Sequence, residues 1–224
     1  MTSQPRPRDE ARAPLSRERV LHAAIGLADA HGIESLTMRR LAQELGVEAM
    51  TLYYYVRNKD DILNGIVDMV VSEFELAPAD GEWRAALRSM AISAYRVLLQ
   101  HPWAASLVLS ASGFSQARMR HMDSILGTLR GAGFSAEMTD HAYHALESHI
   151  MGFTLWVVGM NLGTDEELAV LAGDVLKELP RDELPHLVEH IEQHLKPRDP
   201  DDKGEFEFGL DLILDGLEKI RDTA

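Results

Sequence analysis

The chain has 224 residues, 46% of them apolar and none of them Cys, which excludes wholesale disorder, disulfides and thiol chemistry. Net charge is −14, placed unevenly: residues 1–60 carry nine Lys/Arg against eight Asp/Glu, so an otherwise acidic body confines any nucleic-acid contact to the N-terminal quarter. No apolar stretch of signal-peptide kind opens the chain, and the longest apolar run, Ile150–Met160, is about half a membrane span, which predicts a cytoplasmic protein with no membrane partner.

Residues 1–14 combine prolines with Arg6, Arg8 and Arg12 and lack apolar periodicity, the composition of a flexible basic arm that either frays in solvent or lies along DNA. Ser16 suits the N-cap of a first helix, in which Val20, Leu21, Ala24, Leu27 and Ala28 recur at helical spacing until Gly32. Thr37 is the expected N-cap of a second helix, with Leu36 and Leu41 in the arrangement of a hydrophobic staple. Gly46 fits a left-handed turn, and a third capped helix of about two turns is expected from Glu48, with Val47 and Leu52 repeating the staple. Two short helices joined through one glycine make a helix-turn-helix.

Short or flexible side chains at the start of such a helix let it sink into a major groove, and Ala49, Met50 and Thr51 meet that need. Thr51 can bond a base or phosphate, and Ala49 or Met50 can touch a thymine methyl. Tyr53, Tyr54, Tyr55, Lys59, Arg39 and Arg40 are candidates for phosphate, with core or solvated-surface roles as their bland alternatives. Ile62, Leu63, Ile66, Val67, Val70, Val71 and Phe74 then predict a longer helix. Further helices are expected over residues 82–100, 102–112, 115–131, 136–163, 165–179, 183–195 and 205–222, and an acidic loop over 197–204. No segment alternates with period two, so the expected class is all-α.

The stretch LTMRRLAQELGVEAMTLYYYVRNKDDIL, with its leucine-threonine start, LA..LGV core and T-LY..V..K ending, resembles the N-terminal domain of the TetR family of transcriptional repressors. A weaker likeness, near QHPWAASLVL and GAGFSAEMTDHAYHALESHIMGFTL, is to the tetracycline-repressor-type ligand domain. The resemblance implies a three-helix helix-turn-helix DNA-binding domain over residues 15–61 joined to a larger helical ligand-binding and dimerisation domain over 62–224. It implies DNA contacts at Thr37, Arg39, Glu48, Ala49, Met50, Thr51, Tyr53, Tyr54, Tyr55 and Lys59. It also implies a homodimer on a palindromic double-stranded operator, with dimerisation through the helix over 136–163 and the last helix. Met50 differs from the residue that the tetracycline repressors carry at that groove-facing position, so their operator does not transfer. Val108 stands where they place a metal-binding histidine, so no magnesium–tetracycline chelate, and no cofactor, is expected.

Apart from the resemblance, Phe206, Leu210, Ile213, Leu217 and Ile220 recur at nearly heptad spacing, with Gly209 and Gly216 beside them. That seam packs inside its own chain or, as the preferred expectation, against a second copy. Trp83, Met90, Tyr95, Trp103, Leu107, Phe114, Met119, Met122, Phe134, His144, His149, Phe153 and Trp156 supply the apolar and mixed side chains of a pocket for a small lipophilic or aromatic effector. His186, His190 and His194 share one helical face at a spacing that suits metal ligation, but a solvated helix edge explains them and no metal site is expected. His141, His144, Glu147 and His149 spread over several helical directions. The expected function is a ligand-responsive repressor. The alternatives are an activator or ligand-independent regulator of the same fold and, remotely, a helical enzyme using His144, Glu147 or His149 as acid and base.

Overall fold

Helix α1 (Arg17–His31) starts where Ser16 Oγ accepts a hydrogen bond from the Arg19 N–H at 3.2 Å, satisfying one of the free amides of the first turn. A 3-10 turn, Ile33–Ser35, leads to α2 (Met38–Leu45), where Thr37 Oγ1 accepts from the Arg40 N–H in the same way. Gly46 ends α2 at φ 66°, ψ 36°, left-handed geometry that a β-carbon disfavours, and the chain turns into α3 (Ala49–Leu52). Helix α4 (Lys59–Ser72) follows.

These coordinates, a computed structural model, describe residues 14–77, 82–110, 115–160, 165–196 and 204–223. Residues 1–13 of the expected basic arm, Phe114 and residues 197–203 of the expected acidic loop lie outside them. Among the described residues there is no strand, and no helix is long and apolar enough to cross a membrane.

The third helix is shorter than its sequence suggests. It has one turn rather than two, and Glu48 makes no side-chain cap. The amides of Tyr53 and Tyr54 reach back only three residues, to the carbonyls of Met50 and Thr51, both at 3.3 Å, so the second turn tightens into 3-10 pairing. The reason is local: three successive tyrosines are poor helix formers, while Leu52 and Val56, both buried, must face the same core.

Contacts divide the chain into two compact units, Met1–Val67 and Asp68–Ala224. The first is centred on fully buried Val20, Ala24, Leu41, Leu52 and Ile66. Each such aliphatic side chain removed from water contributes about 1.5–3 kcal/mol. In the second, α5 (Trp83–Gln100), α8 (Ala136–Met160) and α11 (Gly204–Thr223) pack on one another. Helices α6 (Ala104–Ser110) and α7 (Gln116–Gly131) lie against α8, and α9 (Asp165–Glu178) pairs with α10 (Pro185–His194).

Two features lock α11 in place. Arg88 on α5 donates from Nε to Asp211 at 2.9 Å and also binds Glu207, while Arg84, one turn earlier, binds Asp215 and Glu218. The hydrogen bond to Asp211 raises the Arg88 pKa, with burial opposing and Glu207 adding to the rise. Gly209 lets α11 approach α8 closely, since a β-carbon there would stand 2.6 Å from His149 Cε1.

Candidate functional site

None of the ten candidate DNA-reading residues is buried in the first unit. Thr37, Arg39, Glu48, Met50, Tyr53, Tyr54 and Lys59 are exposed, and Ala49, Thr51 and Tyr55 are half-buried. Met50 is 70% and Tyr54 88% exposed, unusual values for apolar side chains in a well-packed helical unit. Tyr53, which could equally have served as core, is 48% exposed. The Thr37 hydroxyl already caps α2, so any phosphate it meets must share the remaining hydrogen-bonding capacity of that oxygen.

The loop between α3 and α4 is held by Asp61, which sequence reasoning did not single out. Its carboxylate accepts the Arg57 N–H at 3.0 Å and pairs with Arg17 of α1 at 3.2 Å and with the Arg57 side chain at 3.4 Å. Its own N–H is capped by Asn58 Oδ1 at 2.8 Å. Burial alone would raise the Asp61 pKa, but the hydrogen bonds from Arg57 and the charges of Arg17 and Arg57 outweigh it and hold the group below its ordinary 3.8. The detectable signal was the N-x-x-D spacing at the start of α4, which matches a capping arrangement.

The second unit contains a cavity of about 580 Å³ bounded by α4, α6, α7 and α8. Val71, Phe74, Val108, Leu109, Met119, Met122 and Met151 form its apolar walls, and Arg118, His121, Tyr143, His144, Glu147 and Ser148 its polar ones. His121 Nε2 stands 3.6 Å from Glu147 Oε1, and the edge of Phe74 meets the His121 ring with centroids 5.2 Å apart. Burial and the Glu147 charge push the Tyr143 hydroxyl up to about 12, so it stays protonated. Burial lowers the Arg118 guanidinium, with Asp68 opposing.

Comparison with known proteins agrees with this arrangement at both ends. Residues 20–66 match the family described as "Bacterial regulatory proteins, tetR family", and residues 77–221 match "Tetracyclin repressor-like, C-terminal domain". The chain belongs to the TetR family of transcriptional regulators. It is 32% identical to the HTH-type transcriptional repressor DrrR1 of Streptomyces coeruleorubidus, over 96% of this chain and 82% of that protein. Among solved structures, the TetR family protein ActR of Streptomyces coelicolor in complex with actinorhodin is 30% identical, with a TM-score of 0.76 over 92% of this chain and 96% of that one. BioQ with its double-stranded DNA operator is 26% identical, with a TM-score of 0.63 over 92% and 99%. The family and these relatives are regulators rather than enzymes.

The TetR-family body distributes the expected pocket residues over several places. Met119, Met122 and His144 line the cavity. Trp83 and Phe134 instead meet edge to face, centroids 5.3 Å apart, with the Arg221 guanidinium 5.3 Å over the indole, and Met90 is fully buried. Tyr95 stacks on Phe206 at 4.0 Å, where His149 and Phe153 join them and Trp156 adjoins Phe153. Trp103 is buried beside His101, and Leu107 is half-buried next to the cavity residue Val108. The division follows helical geometry. On α8, Tyr143, Glu147 and Met151 share one stripe, whereas His149, Phe153 and Trp156 share another, about 200° around. Size and aromaticity selected side chains in sequence, but helix face selects what lines a cavity.

The histidines likewise separate. His144 Nδ1 donates to the Asp140 carbonyl at 2.8 Å, His149 Nε2 to the Phe206 carbonyl at 2.9 Å, and His194 Nδ1 to the His190 carbonyl at 3.0 Å. The final-helix seam needs a correction. Phe206, Leu210 and Leu217 are buried within their own chain, Ile213 is half-buried and Ile220 exposed. With Leu214 also buried, the inward stripe of α11 has a helical rather than a heptad period, and Phe208 and Leu212 lie exposed instead.

Proposed function

We propose that this protein is a cytoplasmic transcriptional repressor that binds a palindromic double-stranded operator as a homodimer and is released by a small lipophilic or aromatic effector. The observation that carries the reading is the outward presentation of Met50 and Thr51 on a helix-turn-helix, in a chain that is acidic elsewhere. DNA contacts are assigned to Thr37, Arg39, Glu48, Ala49, Met50, Thr51, Tyr53, Tyr54, Tyr55 and Lys59, with bases met from α3 and phosphates from the tyrosines, Arg39 and Lys59. One such helix pair reads only a few base pairs, which calls for two copies on two half-sites. The dimer face is placed on the exposed apolar side of α11 (Phe208, Leu212, Ile220) with Trp156 and Met160 of α8.

The effector site is the cavity beside Val71. Helix α4 is continuous from Lys59 to Ser72, so displacement of its cavity end is transmitted along one helix. An effector that prefers the displaced state releases DNA by population shift. The DrrR1, ActR and BioQ relatives, a repressor, a complex with actinorhodin and a complex with an operator, support the three parts of the reading. A gel-shift titration on the DNA upstream of the protein's own gene checks it: saturable, salt-sensitive binding is expected, and no binding at low salt refutes it.

A further inference from the structure

We propose that the effector carries a hydrogen-bond donor, a hydroxyl or an ammonium group, on an otherwise apolar planar body, and that this donor docks on Glu147 beside His121. The proposal rests on the reading of the cavity as the effector site.

Glu147 Oε1 is buried, yet no hydrogen bond reaches it from any described residue. Its nearest polar neighbour, His121 Nε2, stands at 3.6 Å, beyond the distance at which an N–H bonds an oxygen. Nδ1 of the same ring is also buried without a hydrogen bond, and the His121 side chain retains only 10% of its exposure. Two orphaned polar atoms on facing helices, α7 and α8, therefore border one cavity. A carboxylate oxygen stripped of water and given no donor is costly, and the cost is recovered only by a group that brings a proton to it.

The rest of the wall describes the remainder of the ligand. Met119, Met122 and Met151 are polarisable thioethers, and Phe74 supplies a ring, the combination that packs well on flat conjugated surfaces. A volume of about 580 Å³ suits a molecule of drug size. Arg118 also borders the cavity, but an anion placed there meets the negative charge of Glu147. A hydroxyl can donate to Glu147 and still accept from His121, whereas an ammonium group serves Glu147 by charge as well.

Calorimetric titration of the full-length protein with 2-naphthol, 2-(aminomethyl)naphthalene and 2-methoxynaphthalene tests this, because the three share a body and differ in the donor. At least one donor probe is expected to bind about ten-fold or more tightly than the methyl ether. In Glu147→Leu that advantage disappears while the ether binds as before. Glu147→Gln separates the two donors: it keeps a neutral acceptor, so a hydroxyl retains part of its advantage and an ammonium group loses it. Equal binding of all three probes to the unaltered protein, or a donor preference that survives Glu147→Leu, overturns the proposal and leaves an apolar effector cavity standing. Binding of all probes undiminished by Met151→Trp, which fills the cavity, or no binding of any of them, overturns the cavity reading and this proposal together.

Discussion

Met50 and Thr51 stand on a helix of only four residues, so their side chains are the first parts of α3 that a DNA groove would meet. Lys59, by contrast, is an exposed cation at the start of α4. Lys59→Ala is therefore expected to weaken binding to all sequences alike and to reduce the salt slope by about 1, whereas Met50→Ala or Thr51→Ala changes which operator variant is preferred. Fluorescence anisotropy across a set of operator variants at two salt concentrations checks this; equal losses for all three substitutions on every variant would refute it. Asp61 acts one step back from the DNA. Asp61→Asn keeps an acceptor for the Arg57 N–H but loses the charge that holds Arg17 and Arg57, which is expected to cost about 1 kcal/mol of stability at neutral pH and to weaken all operators together. Because the folded-state pKa lies below 3.8, this contribution is fully present above that pH and disappears as pH falls through the lowered value. Urea denaturation curves of the two proteins should thus differ at pH 7 and converge in strong acid.

At the scale of elements, boundaries set by local chemistry were legible in the sequence. Ser16 and Thr37 announce the starts of α1 and α2, and Gly46 the turn between α2 and α3, because caps and left-handed turns depend on one or two residues. The length of α3 was not legible, since it depends on a shared core for Leu52 and Val56. The inward stripe of α11 was misread for a related reason: a seam of nearly heptad period and a stripe of period 3.6 differ by one residue in each two turns, and only the packed partners α5 and α8 decide between Ile213 and Leu214. The closest α8–α11 approach gives a test. Gly209→Ala drives a β-carbon into the His149 ring, which is fixed by Phe206 stacking and a hydrogen bond and cannot swing away, so a loss of about 1–3 kcal/mol is expected from thermal or urea unfolding. An unchanged midpoint would mean that the ring yields.

For the whole molecule, the exposed Phe208 and Leu212 of α11 and Trp156 and Met160 of α8 form more apolar surface than a monomer ordinarily shows to water. Leu212→Asp is expected to shift the protein from dimer to monomer in sedimentation velocity and to abolish operator binding, while far-UV circular dichroism stays helical. A dimer undisturbed by the substitution would move the interface elsewhere. The amino-acid sequence by itself determined the all-α class, the helix-turn-helix and the family, because each is written in local spacing: caps, one glycine, periodic apolar residues and a contiguous motif. Only the tertiary structure decided that Met119, Met122 and His144 share a cavity with Tyr143, Glu147 and Met151, and that Phe206, Leu210 and Leu217 belong inside the subunit. A helix turns every residue through about 100°, so which face meets which neighbour is set by the packing of distant segments, and short-range spacing carries no record of it.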